Sequence, residues 1–315
     1  MIEVKNLTKR FGSKVAVDDI SFEVRTGEVL GFLGPNGAGK STTMRMVTGF
    51  LPSSEGSITI AGTNIADDEI GAKSKIGYLP ESAPLYNDMS VKDFLSYSAE
   101  IRGIEGSAKK NAIDHVVELC FLQPVYQQSI DTLSKGYRHR TCLAQSLIHD
   151  PPILVLDEPT DGLDPNQKHE VRALLKRLGE TKAIIFSTHI LEEVEAACTR
   201  AIIIDRGKVI ANGTPSELKA RSKNAGAILL RASGKGTDGL REGIQKLNQT
   251  ESVDVLNSKD DFLALRVHPK AKSNGELPAS LFDLCVEKSL RVEELSVEQG
   301  QLDEVFRSLT TKDAA

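Results

Sequence analysis

Apolar and polar positions alternate over residues 2–7 and 21–24, the two-residue period of half-buried strands, with Gly12 and Gly27 near the turns that follow. Residues 28–33 form a short apolar run that leads into a glycine-rich loop, and residues 58–61 and 75–79 read as further strands. From Val91 to about Gln123 the spacing becomes helical: Val91, Phe94, Leu95 and Ala99, then Ile113, Val116, Val117 and Cys120. This stretch interrupts a strand–helix alternation, so a helical subdomain inserted over about residues 86–150 is expected. Residues 153–156, 183–186 and 201–204 are then continuous apolar runs, as expected of parallel strands covered on both faces.

The pattern shifts near Pro215. Residues 216–221 read as a short helix and 222–226 as the end of a linker spanning 216–226. The remainder predicts strand 227–232, helix 237–248, strands 252–257 and 262–267, helix 276–288 and strand 291–297. That βαββαβ order predicts a small α+β, ferredoxin-like domain over 227–315, closed by a helix at 301–309. The chain thus reads as an α/β domain over 1–215 followed by a second domain.

Composition narrows the class. Of 315 residues 40% are hydrophobic and 26% charged, which supports a packed core and excludes wholesale disorder. The net charge of −5 provides no basic surface for phosphate backbones, so nucleic acid is not an expected partner. Cys120, Cys142, Cys198 and Cys285 form no CxxC pair, which argues against a zinc ribbon or disulfide scaffold. No signal-like apolar core and no membrane-spanning run occurs, so a soluble intracellular chain is expected, with any membrane role supplied by a partner.

Candidate chemistry sits at two strand ends. Gly34, Pro35, Asn36, Gly37, Ala38, Gly39, Lys40, Ser41 and Thr42 follow a predicted strand and precede a helical stretch at 43–50, matching G-x-x-x-x-G-K-[ST]. Glycines let backbone N–H groups turn inward on phosphate oxygens, and the helix that follows adds its positive end. Lys40 suits the β and γ phosphates, the Ser41 hydroxyl suits Mg²⁺, and Thr42 suits the α phosphate. A plain glycine turn is the bland alternative; strand, loop and helix in the required order disfavour it. At the end of the run 153–156, Asp157 suits Mg²⁺ and Glu158 suits the base or water-orienting role in γ-phosphate hydrolysis.

Together with further motifs, these residues resemble the ATPases of ABC transporters. Leu133-Ser-Lys-Gly-Tyr137 resembles the LSGGQ signature, Gly162-Leu-Asp164 the D-loop, Ser187-Thr-His189 the switch-histidine region, and Tyr78-Leu-Pro-Glu81 the Q-loop. Phe11 stands where the family keeps an adenine-stacking aromatic. The resemblance covers residues 1 to about 215, and the signature and the ending 297–310 look like ABC-2 exporter ATPases of the gliding-motility and drug-resistance type. It implies a P-loop ABC-type ATPase with ATP and Mg²⁺ as cofactors. Phe11 and the 34–42 loop would bind nucleotide, Lys40, Glu158 and His189 would be catalytic, and Ser41, Glu81 and Asp157 would hold the metal. Asp164 would also bind nucleotide, and Ser134 and Gly136 of a second copy would close over it in a head-to-tail dimer.

The family's Q-loop glutamine is Glu81 here, and Lys135 and Tyr137 replace a glycine and a glutamine of the signature. Glu81 would add charge near the metal, Lys135 reads as a solvated charge at a helix start, and His139 and His149 read as structural. The resemblance further implies a separate membrane permease, docked near residues 83–103, and a location at the cytoplasmic face of the membrane. A soluble ABC ATPase outside transport is the alternative, and a nucleotide sensor without hydrolysis is disfavoured by Glu158 and His189. Residues 227–315 are expected to mediate subunit contact or regulation, without chemistry of their own.

Overall fold

The computed structural model describes residues 1–82, 84–259, 261–270 and 275–310, and the chain divides into two units, Met1–Pro215 and Ser216–Ala315. In the first, β1 (Ile2–Phe11) and β2 (Lys14–Val24) pair antiparallel across a tight turn in which Gly12 adopts φ +58°. β2 begins at Lys14, well before the alternation at 21–24 reveals it. Register shifts after Val4 and Leu7, with Asn6 and Asp19 at φ +48° and +50°, break the two-residue period there. Then come β3 (Val29–Leu33), α1 (Lys40–Val47), β4 (Glu55–Ile60), β5 (Thr63–Asn64), α2 (Glu69–Ser74) and β6 (Ile76–Leu79). Strands β2-β1-β4-β5 form an antiparallel sheet.

Helices α3 (Val91–Ile101), α4 (Gly106–Leu119) and α5 (Lys135–Leu147) make the inserted helical part. Alternation resumes with β7 (Ile153–Asp157), α6 (Pro165–Gly179), β8 (Ala183–Thr188), α7 (Leu191–Ala197), β9 (Arg200–Asp205), β10 (Lys208–Gly213) and α8 (Pro215–Lys219). The second sheet has the order β10-β9-β3-β8-β7-β6, parallel except for β10. Its central strands are apolar on both faces because both are covered. Leu154, Leu156, Ile184 and Phe186 join one hydrophobic cluster with α3–α6, while Ile153, Val155, Ala183 and Ile185 join another with α1 and the antiparallel sheet.

The second unit contains β11 (Ile228–Ser233), α9 (Leu240–Gln245), β12 (Thr250–Lys259), β13 (Phe262–Pro269), α10 (Leu277–Glu287), β14 (Arg291–Val297) and α11 (Leu302–Thr310). The antiparallel order β12-β13-β11-β14 is the ferredoxin-like arrangement. The helix expected over 237–248 is shorter: a 3₁₀ turn at Thr237–Gly239 precedes α9. Gly239 and Gly243 weaken helix propagation there, and only Leu240 and Ile244 of α9 are buried. This unit has its own core, with Leu230, Leu265, Leu281 and Cys285 fully buried. All four cysteines are unpaired, and among the described residues no helix is long and apolar enough to cross a membrane.

Candidate functional site

Four neighbouring parallel strands, β3, β8, β7 and β6, end at one edge of the six-stranded sheet, and each delivers a chemical group there. The loop after β3 leads into α1, the segment after β8 carries His189, β7 ends in Asp157 and Glu158, and the chain leaving β6 carries Glu81. Ligand sites of parallel α/β sheets lie at this edge because the strands' carboxyl ends and the helices' amino ends converge on it.

A cleft of about 590 Å³ opens there, lined by Phe11, Asn36, Gly37, Gly39, Lys40, Ser41, Thr42, Glu81 and Glu158, together with Lys14 and Ala16. Gly37 and Gly39 adopt φ +81° and +108°, and a Cβ on Gly39 would come within 2.6 Å of the Ala16 carbonyl. Only glycine lets this loop pass so close to the β2 backbone with its amides free to face the cleft. Helix α1 begins at Lys40, earlier than the stretch 43–50, and gives way to Gly49 at φ +68°. Lys40 Nζ donates to the carbonyls of Gly34 (2.7 Å) and Pro35 (3.2 Å), while Ala38 is buried. Gly34, Pro35 and Ala38 therefore support the loop from behind the cleft wall. Burial pushes the Lys40 pKa down, opposed by the carboxylates of Glu158, Asp157 and Glu81.

Asp157, 1% exposed, accepts from the Ser41 hydroxyl (3.2 Å) and from Ser187 through Oδ1, whereas its Oδ2 is buried without a hydrogen-bond partner. A buried carboxylate oxygen left unmatched beside a hydroxyl is a fitting ligand pair for Mg²⁺, which takes few protein ligands when phosphates and water complete its shell. No group of three His, Cys, Asp or Glu side chains placed to hold a metal ion occurs among the described residues. His149 Nε2 lies 3.1 Å from the Ile76 carbonyl, and burial lowers its pKa to about 4.

Glu158 holds φ +52°, a conformation unfavourable for a residue with a side chain, and its N–H donates to Ser187 Oγ at 3.0 Å. Its carboxylate is mostly buried and meets His189 Nδ1 at 3.1 Å through both oxygens. Burial raises the Glu158 pKa; the hydrogen bond to His189 opposes the rise. His189 is thus placed against Glu158 rather than on the wall of the cleft. Phe11 ends β1 half exposed, with Lys9 Nζ 5.2 Å from its ring centroid.

Ser134, Gly136 and Asp164 do not enter this cleft. Ser134 caps α5 by accepting from the Tyr137 N–H (3.3 Å), Asp164 caps α6 by accepting from the Gln167 N–H (2.9 Å), and Gly136 packs against Gln167 and Leu163. Lys135 is not a lone solvated charge: its Nζ pairs with Asp161 Oδ2 at 2.7 Å. Two contributors went unmarked in the sequence. Ser187 stands beside Asp157 in the β7–β8 register, and Glu193, 1% exposed, accepts from both Thr160 and Thr188 (2.7 Å for the latter). Ser187 was within reach as the serine of Ser187-Thr-His189; Glu193 sits in an ordinary-looking acidic helix start.

Loop, helix and strand-end carboxylates define a P-loop nucleotide-binding fold. A family model described as ABC transporter matches residues 17–161. The linearmycin resistance ATP-binding protein LnrL of Bacillus subtilis is 34% identical over 312 residues, covering 98% of each chain. The Nod factor export ATP-binding protein I of Ralstonia nicotianae is 36% identical over 219 residues, covering 69% of this chain and 68% of that one. A solved structure titled as the ATP binding subunit of an ABC transporter superposes with TM-score 0.65 at 27% identity, over 70% of this chain and 92% of the other. A dimeric ATP-binding cassette bound to ADP and phosphate shares the fold at TM-score 0.63 and 24% identity, over 68% of this chain and 99% of the other. The chain belongs to the ABC transporter family, as one of its ATP-binding ATPase subunits.

Proposed function

We propose that the protein hydrolyses MgATP to drive a separate permease in an ABC-2 type exporter, two copies closing head to tail over two nucleotides. The observation that carries this reading is the division of the site: the phosphate loop and Glu158 line one cleft, with buried Asp157 bonded to Ser41 beside it, whereas Ser134 and Asp164 cap helices outside it and Gly136 packs against Gln167 and Leu163. A half-site of this kind is completed by a second copy, which brings its α5 amino end to the γ phosphate.

In that assembly Phe11 stacks on the base, and the amides of 36–42 surround the phosphates. Lys40 gives up the Gly34 and Pro35 carbonyls for phosphate oxygens. Mg²⁺, held by Ser41 and Asp157 with Glu81 nearby, supplies charge neutralisation at the phosphates. Glu158, desolvated and hydrogen-bonded to His189, orients the attacking water and takes its proton. His189 holds the Glu158 carboxylate and stands next to the γ phosphate.

Permease docking suits the helical part. Tyr86, Tyr97 and Ile101 are exposed large apolar side chains there, and Tyr86 packs on both Phe94 and Tyr97. Ala83, at the start of the expected docking stretch, lies outside the described residues. Docked in that way, the protein would sit peripherally on the cytoplasmic face of the membrane. The non-transport alternative is not favoured, since the relatives that match along the chain include resistance and export ATP-binding proteins. Co-purification is the test: tagged protein taken from native membranes in mild detergent should bring down a polytopic membrane protein that stimulates its ATPase rate. Recovery solely as a soluble species, with no membrane partner, overturns the transport reading.

A further inference from the structure

The turn from Glu158 to Asp164 is gripped by one face of α5. Lys135 opens that helix and lies across the turn, since a Cβ added at Gly162 would meet Lys135 Cδ at 2.5 Å and Cε at 2.6 Å. Its ammonium then reaches Asp161 Oδ2 at 2.7 Å. One helical turn along, the buried His139 ring lies against the same turn, near Pro159 and Asp161. Asp161 is tied in turn to Glu158, its N–H donating to the Glu158 carbonyl at 3.0 Å. Glu158 holds its left-handed backbone at the head of this turn, a conformation that persists only where the surroundings enforce it. The LSGGQ glycine that Lys135 replaces has no side chain with which to make such a strap.

We propose that Lys135 is a positioning residue, which through Asp161 holds the turn that aims the Glu158 carboxylate. The proposal rests on Glu158 as the water-orienting group. The rival role for Lys135 is a direct contact with the nucleotide of a second copy. Asp161 separates the two, because removing it breaks the strap but frees the Lys135 cation for phosphate.

The experiment measures kcat and KM for ATP in full-length Lys135→Ala, Asp161→Asn, their double variant and Lys135→Arg, with fluorescent-ATP binding to show that each is folded. The pair is substantially exposed, at 67% and 46% for the two side chains, so a modest effect is expected. Each single variant should lose about two- to fivefold in kcat at unchanged KM. The double variant should lose no more than either single one, and Lys135→Arg should retain the wild-type rate. Full kcat in Asp161→Asn beside a loss in Lys135→Ala would assign Lys135 to phosphate and overturn the proposal. Multiplying losses in the double variant, a loss confined to KM, or wild-type rates throughout overturn it equally. These outcomes are distinct from failure of the Glu158 assignment, which is read from the Glu158→Gln rate alone.

Discussion

Replacing Glu158 by Gln removes one negative charge with almost no change in shape. The side chain is 12% exposed, and His189 Nδ1 lies 3.1 Å from both of its oxygens, so the amide oxygen can still accept from the imidazole. What is lost is basicity at the one carboxylate in the cleft whose pKa burial has raised. A group that orients and deprotonates the attacking water contributes ~10²–10⁴-fold, or ~2.7–5.5 kcal/mol of barrier. Nucleotide binding should hold or tighten, because Glu158 is one of three carboxylates facing Lys40 and the incoming phosphates are themselves anionic. The assay pairs phosphate release under saturating MgATP with equilibrium binding of a fluorescent ATP analogue, and light scattering should show the variant accumulating as an ATP-held dimer. The raised pKa also sets the sign of the pH dependence. In the wild type the active, ionised form is lost on acidification at a higher pH than for an ordinary glutamate. Protonation is favoured by folding, so the charge at neutral pH is a destabilising one. Glu158→Gln should therefore melt above the wild type at pH 7–8, with the gap closing as pH falls through the raised pKa and gone below the ordinary glutamate range. Turnover within about threefold of wild type, well under the lower bound for this kind of group, would refute the assignment.

Three further outcomes follow from the same geometry. Glu81→Gln should shift the Mg²⁺ dependence of the ATPase rate more than ATP affinity, since Glu81 lines the cleft and acts on Lys40; superimposable Mg²⁺ titrations would show that its carboxylate faces solvent. Ser187→Ala should lower stability by about 1.5–3 kcal/mol in chemical denaturation, because this fully buried hydroxyl serves both Asp157 Oδ1 and the Glu158 N–H; an unchanged midpoint would mean that water replaces it. Deletion of residues 227–315 should leave nucleotide binding intact while weakening dimerisation or permease coupling, since the cores of the two units share no residue; a folded truncation that no longer binds ATP would contradict that division.

Contiguous chemistry was legible in the sequence, and chemistry assembled by strand pairing was not. The phosphate loop, the pair Asp157-Glu158 and the helical insertion each announce themselves within one short window. The adjacency of β3 to β8 and of β8 to β7, which sets Asp157 opposite Ser187 and Leu33 opposite Thr188, arises between segments far apart in the chain. So does the bond from Thr160 to Glu193, whereas Thr188, the other hydroxyl on that carboxylate, lies only five residues from it. His189 was placed correctly at a strand end, but its partner Glu158 belongs to another strand and no periodicity reveals such a contact. The early part of β2 was hidden for a different reason: irregular register destroys the very alternation by which strands are found.

The departures from the family motifs acquire a common setting once the fold is known. Glu81 lines the phosphate-loop cleft, and it also lines a second cleft, of about 440 Å³, with Lys135, Arg138, His139 and Asp161. An amide and a glycine would leave Arg138 and Asp161 as the charged side chains lining that second cleft. Here a carboxylate at 81 and an ammonium at 135 are added together, one of each sign, so the local charge is unchanged while the number of possible pairings rises. The balance holds for the second cleft alone, because Glu81 also lines the phosphate-loop cleft and acts on Lys40 there, whereas Lys135 does not line it. A single Glu81→Gln change would upset that balance and act on both clefts. Its effect on kcat should accordingly be smaller in a Lys135→Ala background than in the wild type, and equal effects in the two backgrounds would show that the two positions act independently.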